Sequence, residues 1–195
     1  MNKLMGFYEL LDSGLPTVSW KEFNEGSYLD DKYLWTVRTA TIKGKDINLP
    51  RIIGKSSKEA YNGALELYKA YKDKGIVIYY PYFIAEKSGT LKVNSNEIAI
   101  EAVYKDLWNL VTYNNKDVTI IKKEDSSIIY GNECFFSKEE INELSHYADK
   151  VKIVFRDYMV QGKTLLLEWS YAFSANTNLQ PIGNRYLVFY EIREI

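Results

Sequence analysis

The sequence predicts an α+β fold in which mostly antiparallel sheets are flanked by helices. Short runs rich in Ile, Val, Tyr and Phe cluster along the chain and are bounded by turn-forming residues, as expected for β-strands. Helical periodicity is confined to a few stretches, two of which open with a capping box, Ser56 with Glu59 and Ser137 with Glu140. Because strands and helices do not alternate regularly, the pattern does not favour a doubly wound parallel sheet.

The first half of the chain contains two predicted helices and one predicted strand. Residues 3–12 carry apolar side chains at helical spacing, and Gly14 ends this helix before an extended segment. Residues 19–32 are predicted to be a loop or short helix, and residues 33–41 a strand. The loop that follows, 42–51, carries three cations, and the helix that begins after Ser56 ends near Gly75. The three loop cations are Lys43, Lys45 and Arg51.

The second half is predicted to be mainly β-structure. Residues 76–84 form a strand in which Pro81 indicates an edge or a bulge. A turn is predicted over 85–89, and the helix after Ser137 is predicted to run to about Val151. The remaining predicted strands are 90–93, 97–103, 107–113, 118–122, 165–170 and 186–193, with a loop over 174–184 between the last two.

Bulk composition restricts the classes of function. The 195 residues suffice for one domain with a core, which the sequence also allows to divide into two lobes at about 1–95 and 96–195. The 25 basic and 26 acidic residues leave a net charge of −1, so no nucleic-acid partner is expected. One cysteine, Cys134, and one histidine, His146, exclude an internal disulfide and a Cys/His zinc cluster. No apolar run is long enough to span a membrane, and a cytoplasmic location is expected.

Two glutamates interrupt the last two apolar strands. Glu168 lies within Leu165–Ser170, and Glu191 lies within Tyr186–Arg193. A buried carboxylate costs several kcal/mol unless a cation or metal accompanies it. Two interpretations are therefore open. Both side chains point into solvent from half-exposed strands, or they meet at one end of a hairpin and hold Mg²⁺ near a phosphate.

Six short motifs follow one another along the chain. They are Lys3 with the first helix and Gly14-Leu15-Pro16; Val37–Thr41 before Leu49-Pro50, with Asp46 nearby; Tyr82–Leu91; Ile100–Val103; Leu167–Trp169; and Tyr190–Arg193. In this order they resemble the nucleotide-binding domain of phosphoenolpyruvate synthase and pyruvate phosphate dikinase. The resemblance implies a shortened ATP-grasp-like fold.

The resemblance also implies a site for ATP and Mg²⁺ between two lobes. Lys3 and Arg38 would contact phosphates, and Arg38 would be the catalytic cation. Glu101 and Arg193 would complete the nucleotide site, with an ion pair to Glu168 as the alternative role of Arg193. Glu168 and Glu191 would face the metal. The loop cations, and Lys3 itself, are equally explained as solvated charges.

The departures from the family leave three functions open. Most glycines that let a backbone approach phosphates are missing, and the resemblance does not extend to the family's phosphohistidine and pyruvate-binding domains. The first hypothesis is therefore an ATP-binding subunit, phosphotransferase or ligase-like, whose phosphoryl acceptor is carried by a separate chain. The second is a non-catalytic interaction module that uses Ile76–Phe83 as an exposed aromatic edge. The third, an acid-pair enzyme without ATP, rests on the two glutamates alone.

Overall fold

The computed structural model describes residues 1–43, 49–107, 110, 115–124 and 126–195. In that part of the chain the helices are Lys3–Asp12 (α1), Ser57–Tyr71 (α2), Lys138–Val154 (α3) and Arg156–Val160 (α4). The strands are Lys21–Glu22 (β1), Trp35–Thr41 (β2), Arg51–Lys55 (β3), Gly75–Pro81 (β4), Phe83–Val93 (β5), Glu97–Tyr104 (β6), Val118–Lys123 (β7), Ser126–Gly131 (β8), Leu165–Ala175 (β9) and Pro181–Glu194 (β10).

The strands form two antiparallel sheets. The first has four strands in the order β1-β4-β2-β3, and the second has six in the order β10-β9-β5-β6-β7-β8. The first sheet ends at Pro81 and the second begins at Phe83, so the chain passes between sheets at Tyr82. The sequence places a boundary between lobes near residue 95, and division into lobes stays a prediction. The α+β architecture with antiparallel sheets and flanking helices is confirmed.

Each sheet is covered by helices on one face. The buried side of α3 packs on the six-stranded sheet, where Leu144 meets the strand residues Leu91, Ile100 and Leu167 in one core. Helix α2 covers the four-stranded sheet through Ala60 and Ala64. Helix α1 lies against β10, and its Phe7 belongs to a third cluster between the two sheets. The two capping boxes predicted for α2 and α3 are both formed.

Several predicted elements differ from the structure. The turn predicted over 85–89 is wrong, because β5 is continuous and Gly89 pairs with both Ala102 and Trp169. The loop predicted over 174–184 shrinks to 176–180, since β9 and β10 both extend into it. Four short elements were not predicted: β1, β3, β8 and α4. The strand predicted over 107–113 falls largely outside the described residues.

The aromatic strand β4 is not an exposed edge. It lies between β1 and β2 in the four-stranded sheet, and Tyr79 and Tyr80 are buried. The edge predicted for the interaction module is therefore wrong for this segment. Among the described residues, no helix has the length and apolar character needed to cross a membrane.

Candidate functional site

A cleft of about 1150 Å³ lies between the two sheets. Strands β2, β3 and β4 line one side of it, and β5, β9 and β10 line the other. Of the six side chains predicted to form a site, five line this cleft: Lys3, Arg38, Glu168, Glu191 and Arg193. The fold thus brings these five residues, far apart in sequence, to one cleft, and their roles stay predictions.

Glu168 and Glu191 lie directly opposite each other in the β9–β10 pair. Because side chains alternate along a strand, Leu167 and Trp169 pack into the core while Glu168 lines the cleft. A register irregularity between Phe189 and Glu191 accompanies the placement of Glu191 in the same cleft. The two glutamates are 8% and 2% exposed. The interpretation in which both point into solvent is therefore wrong.

Three cations surround the Glu191 carboxylate. The Nη2 atom of Arg38 lies 2.5 Å from Oε2, and the Nζ atom of Lys3 lies 3.3 Å from the same oxygen. The Nη1 atom of Arg193 lies 3.2 Å from Oε1. The ion pair of Arg193 is thus made with Glu191, whereas the sequence suggested Glu168. These contacts compensate the cost of burying the Glu191 charge.

The pKa values of the two carboxyl groups shift in opposite directions. Burial, and then the nearby charge of Glu191, raise the pKa of Glu168 to about 7. Burial also acts to raise the pKa of Glu191, but Arg38, Lys3 and Arg193 outweigh this effect, and the pKa is lowered. At neutral pH Glu191 is therefore ionised, while Glu168 is near the midpoint of its titration.

Arg38 is fixed by contacts from two elements, α1 and β10. It projects from the fully buried strand β2, and its Nη1 atom donates a hydrogen bond to the carbonyl oxygen of Tyr190 at 3.2 Å. Its guanidinium carbon lies 5.7 Å from the ring centre of Phe7 in α1 and 5.8 Å from that of Tyr190 in β10. Contacts of this kind hold a cation by the negative faces of the rings. Arg38 is therefore preorganised at the boundary of the two sheets.

Lys3 is brought to the cleft by the start of α1. The side chain of Asn2 caps this helix by accepting a hydrogen bond from the Met5 amide at 2.9 Å. Gly6 lets the helix lie directly on β10, because a Cβ atom there would collide with the carbonyl group of Ile192. Burial, and then repulsion by Arg38, lower the pKa of Lys3, while Glu191 opposes the shift.

The cleft carries an excess of positive charge. Its described lining contains five cationic and three acidic side chains: Lys3, Arg38, Arg51, Lys105 and Arg193 against Asp106, Glu168 and Glu191. Such an excess in a concave, partly desolvated site raises the local concentration of anions. The predicted basic loop contributes Arg51 to this lining, and Lys45 lies outside the described residues.

Another part of the cleft lining is apolar and offers backbone groups. Phe83, Ile84, Ala85 and Leu107 line it. Strand β5 pairs with β9 from Phe83 onwards but with β6 only from Lys87. Within the described strands, residues 83–86 therefore have no partner residues in β6, so the edge of β5 that faces β6 is not part of that strand pair here. The carbonyl oxygen of Glu86 nevertheless accepts a hydrogen bond from the Lys105 amide. An apolar surface beside backbone donors and acceptors suits a flat heteroaromatic ring.

Glu101 is not among the residues that line the cleft. It lies on β6, where it forms ion pairs with Lys116 and, at 3.3 Å, with Lys92. The Thr90 hydroxyl donates to it at 3.3 Å. The nucleotide-binding role predicted for Glu101 thus stays a prediction without support from its position.

Several polar residues of the cleft were not predicted from the sequence. Tyr80 and Tyr190 line it, as do Ser88 and Ser170, whose hydroxyl oxygens are 2.8 Å apart across the β5–β9 pair. The alternation of Glu168 and Ser170 with apolar neighbours along β9 is the signal that could have found the serine, because it marks one polar face.

Metal binding by protein groups alone is not supported. The described residues contain no group of three or more His, Cys, Asp or Glu side chains that could hold a metal ion. Mg²⁺, however, commonly uses one or two carboxylates and completes its shell with water and phosphate oxygens. Glu168 fits this role better than Glu191, because the Glu191 carboxylate is already engaged by three cations.

No protein-family model matches the chain, and no curated protein sequence matches it. Solved structures do. The ADP complex of PurK, N5-carboxyaminoimidazole ribonucleotide synthetase, is similar over 98% of this chain and 45% of that protein, with a TM-score of 0.57 and 13% identity. D-alanine–D-alanine ligase from Helicobacter pylori is similar over 97% of this chain and 50% of that protein, with a TM-score of 0.51 and 14% identity.

A third similar structure is N5-carboxyaminoimidazole synthetase from Staphylococcus aureus, with a TM-score of 0.50 at 14% identity over 98% of this chain and 43% of that protein. At such identities the similarity establishes the fold, and the chain has an α+β fold of the ATP-grasp type, as predicted. It spans half or less of the length of these proteins. They are synthetases and ligases, so the particular resemblance to phosphoenolpyruvate synthase and pyruvate phosphate dikinase stays a prediction.

Proposed function

We propose that the cleft binds ATP together with Mg²⁺ and that the chain serves an ATP-dependent transfer or ligation reaction. The observation that carries this proposal is the convergence of Lys3, Arg38 and Arg193 around Glu191 at the boundary between the sheets. Phosphate oxygens can exchange with a carboxylate on the same cations, and Arg offers them a bidentate fork. The structurally similar synthetase was solved with ADP, which accords with this ligand.

The apolar part and the cationic part of the cleft lining suit the base and the phosphates of ATP respectively. The adenine ring would lie against Phe83–Ala85, with the backbone outside the strand ladder available for its polar edge. The triphosphate would extend towards Lys3, Arg38 and Arg193. Glu168 would face the magnesium ion. Bound Mg-ATP would supply the reactive phosphoryl group, while these side chains orient it and offset its charge.

Two reaction classes fit such a nucleotide site, ligation and phosphoryl transfer. Similar structures named as ligases favour a ligase-like reaction, whereas the motif order favours phosphoryl transfer of the synthase and dikinase type. In both cases Arg38, held by Glu191 and Tyr190, would stabilise charge on the transferred group. The acceptor would come from a separate protein chain, and the cytoplasm, where ATP is abundant, is the proposed compartment.

One observation favours a second candidate, a domain that has kept the fold without nucleotide chemistry. The Glu191 carboxylate contacts all three cations of the cluster, so each of them already has an acidic partner within the fold. A structural ion-pair cluster would look the same. The two candidates differ in whether a polyanion displaces Glu191 from these cations.

Isothermal titration calorimetry with ATP, ADP and a non-hydrolysable ATP analogue, with and without Mg²⁺, separates the candidates. We expect magnesium-dependent binding that Glu168→Gln weakens at least about tenfold, because the metal loses its carboxylate. Glu66→Gln, an exposed position on α2, is the matched control and should bind as the wild type does. Circular dichroism confirms that both variants fold. No binding heat at roughly millimolar nucleotide would retire the proposal in favour of the second candidate.

A further inference from the structure

The outer edge of β8 differs from the other sheet edges. Within the described residues, β8 is the last strand of the six-stranded sheet, and all six of its residues are exposed. They are Ser126, Ser127, Ile128, Ile129, Tyr130 and Gly131, so the strand carries no charge, no proline and no bulge. Edges of soluble proteins are ordinarily protected by such features, because unpaired backbone groups template a further strand.

The remaining edges are protected. Strand β10 is covered near Phe189 by the segment after α1, where Thr17 bridges Phe189 and the Phe189 amide donates to the Pro16 carbonyl at 2.8 Å, and its exposed first half carries Pro181 and Arg185. Strand β3 begins and ends with a cation, Arg51 and Lys55. Strand β1 has only two residues. Among the described edges, β8 is therefore the one that combines length, neutrality and exposed apolar side chains.

The apolar side chains of β8 fall on both faces of the sheet. Ile128 pairs with Ile121, and Tyr130 pairs with Thr119, on the face away from the α3 core. Ile128 and Tyr130 are 48% and 56% exposed. Ile129 pairs with the buried Ile120 on the other face. A new strand placed beside β8 would therefore continue both faces.

We propose that β8 is a homodimerisation edge, which pairs antiparallel with β8 of a second copy about a two-fold axis at Ile129. In a continuous antiparallel sheet, directly opposite residues have their side chains on the same face. The two-fold axis must therefore pass between two copies of one residue, because an axis between neighbouring residues would pair side chains of opposite faces. An axis at Ile129 places Ile128 of each copy opposite Tyr130 of the other. This is an aromatic–β-branched pair, one of the favoured cross-strand combinations.

The strand's own residues argue for a second copy as the occupant. Because Ser126–Gly131 is neutral, the two copies meet without opposing like charges. The same patch is used twice, as a two-fold interface requires. A pairing of six residues buries little surface, so we expect a dimer that dissociates on dilution.

Sedimentation velocity tests the proposal through two double variants of equal polarity. In the double variant Ile128→Glu/Tyr130→Lys, each introduced carboxylate lies opposite an introduced ammonium group of the other copy. This variant should therefore still dimerise. Ile128→Lys/Tyr130→Lys sets like charges opposite each other and should remain monomeric. The wild type should shift from monomer to dimer as concentration rises from about 5 to 500 μM. A wild type that stays monomeric over this range, or two double variants that behave alike, would overturn the proposal.

Disulfide trapping tests the register. In the Cys134→Ser background, Ile129→Cys places two thiols opposite each other at the axis, where Cα atoms about 4.5–5.5 Å apart permit a disulfide. Ile128→Cys in the same background leaves its thiols diagonal, at about 7–8 Å or more. We expect oxidised dimer from the first variant and little from the second. Equal cross-linking of both would reject the axis at Ile129. Neither experiment depends on nucleotide binding.

Discussion

Glu168 and Glu191 face each other across the β9–β10 pair, yet their surroundings shift the two pKa values in opposite directions. Glu191 forms ion pairs with Arg38, Lys3 and Arg193. The pKa of Glu168 is raised mainly by burial, and the nearby charge of Glu191 raises it further. Near neutral pH, Glu191 is therefore ionised, while Glu168 is near the midpoint of its titration and exchanges its proton readily. A cation near Glu168 would displace that proton, which links metal binding to proton release.

The raised pKa of Glu168 predicts a stability that falls as pH rises. Its pKa is about 7 in the folded protein, against an ordinary value of 4.5. Between these values the folded state holds a proton that the unfolded state has lost, so raising the pH favours unfolding. The full effect is on the order of 3 kcal/mol, reached above pH 7. Glu168→Gln should remove it, and urea denaturation between about pH 5 and 8 measures it.

The Glu168→Gln protein should thus be more stable than the wild type at about pH 8, with a flatter profile between about pH 5 and 7. Glu191 has the opposite effect on the free energy of unfolding, because its pKa is lowered in the folded protein. The stability that it contributes is lost only when the pH falls through that lowered pKa. Glu66→Gln, on the exposed surface of α2, should leave the slope unchanged. Parallel wild-type and Glu168→Gln profiles would show that Glu168 titrates normally.

Arg193→Gln should weaken the binding of nucleotide phosphates with little loss of stability. Arg193 lines the cleft and contacts Glu191, but a third of its side chain is exposed, so its removal leaves less buried charge uncompensated than removal of Arg38. We expect affinity for ATP to fall about fivefold to tenfold, and affinity for adenosine to remain unchanged. Calorimetry with both ligands measures this difference. Arg156→Gln, at a highly exposed position on α4, is the control. An equal loss for adenosine would assign Arg193 a general structural role.

The sequence predicted those parts of the fold that depend on local signals. The capping boxes at Ser56 and Ser137 marked both long helices, because the pattern acts within a single turn. The continuous strand β5 was missed because its Lys-Ser-Gly sequence has low strand propensity. Gly89 is required there by Trp169 and by the Glu101 backbone, which approach from neighbouring strands. Such contacts are not visible in a local window of sequence.

The sequence predicts which charged residues line the cleft better than it predicts which of them form ion pairs with each other. A carboxylate inside an apolar strand signals an unusual environment, and that signal identified Glu168 and Glu191. Two of the three cations around Glu191 come from α1 and β2, and Arg38 is 153 positions from Glu191, so no local pattern relates these two cations to it. A register irregularity between Phe189 and Glu191 precedes the position at which Glu191 lies opposite Glu168, and no sequence pattern predicts it.

Gly6→Ala and Gly63→Ala should change stability in opposite directions although both lie within helices. At Gly6 an added methyl group would strike the backbone carbonyl of Ile192, so α1 would have to move away from β10. At Gly63 it would meet the terminal methyl of Ile52, which can rotate aside. We expect Gly6→Ala to cost about 2 kcal/mol or more, and Gly63→Ala to gain up to roughly 1 kcal/mol from helix propensity. Thermal unfolding of the two variants decides this, and equal effects would refute the close contact between α1 and β10.

Arg38 and Glu191 should be strongly coupled in a double-mutant cycle. Their ion pair is buried and 2.5 Å long, and Arg38 has further contacts with Tyr190 and Phe7. Arg38→Met leaves Glu191 with two cations, so we expect a loss of about 3 kcal/mol, at the lower end for a broken buried pair. Glu191→Gln leaves three cations close together and should also destabilise the protein. The double variant removes both defects in part, and should lose less than the sum of the single losses by about 1–3 kcal/mol.

The matched control for this cycle is Arg156 and Asp157, an exposed pair on α4 whose charged atoms lie 3.7 Å apart. Urea denaturation of the wild type, both single variants and the double variant gives the coupling at each site. Solvent screens the surface pair, so its cycle should show no measurable coupling. If the Arg38–Glu191 coupling were equally small, the cations would be held by the fold independently of Glu191. They would then need no displacement of Glu191 to receive an anion, and the cleft would bind one without rearrangement.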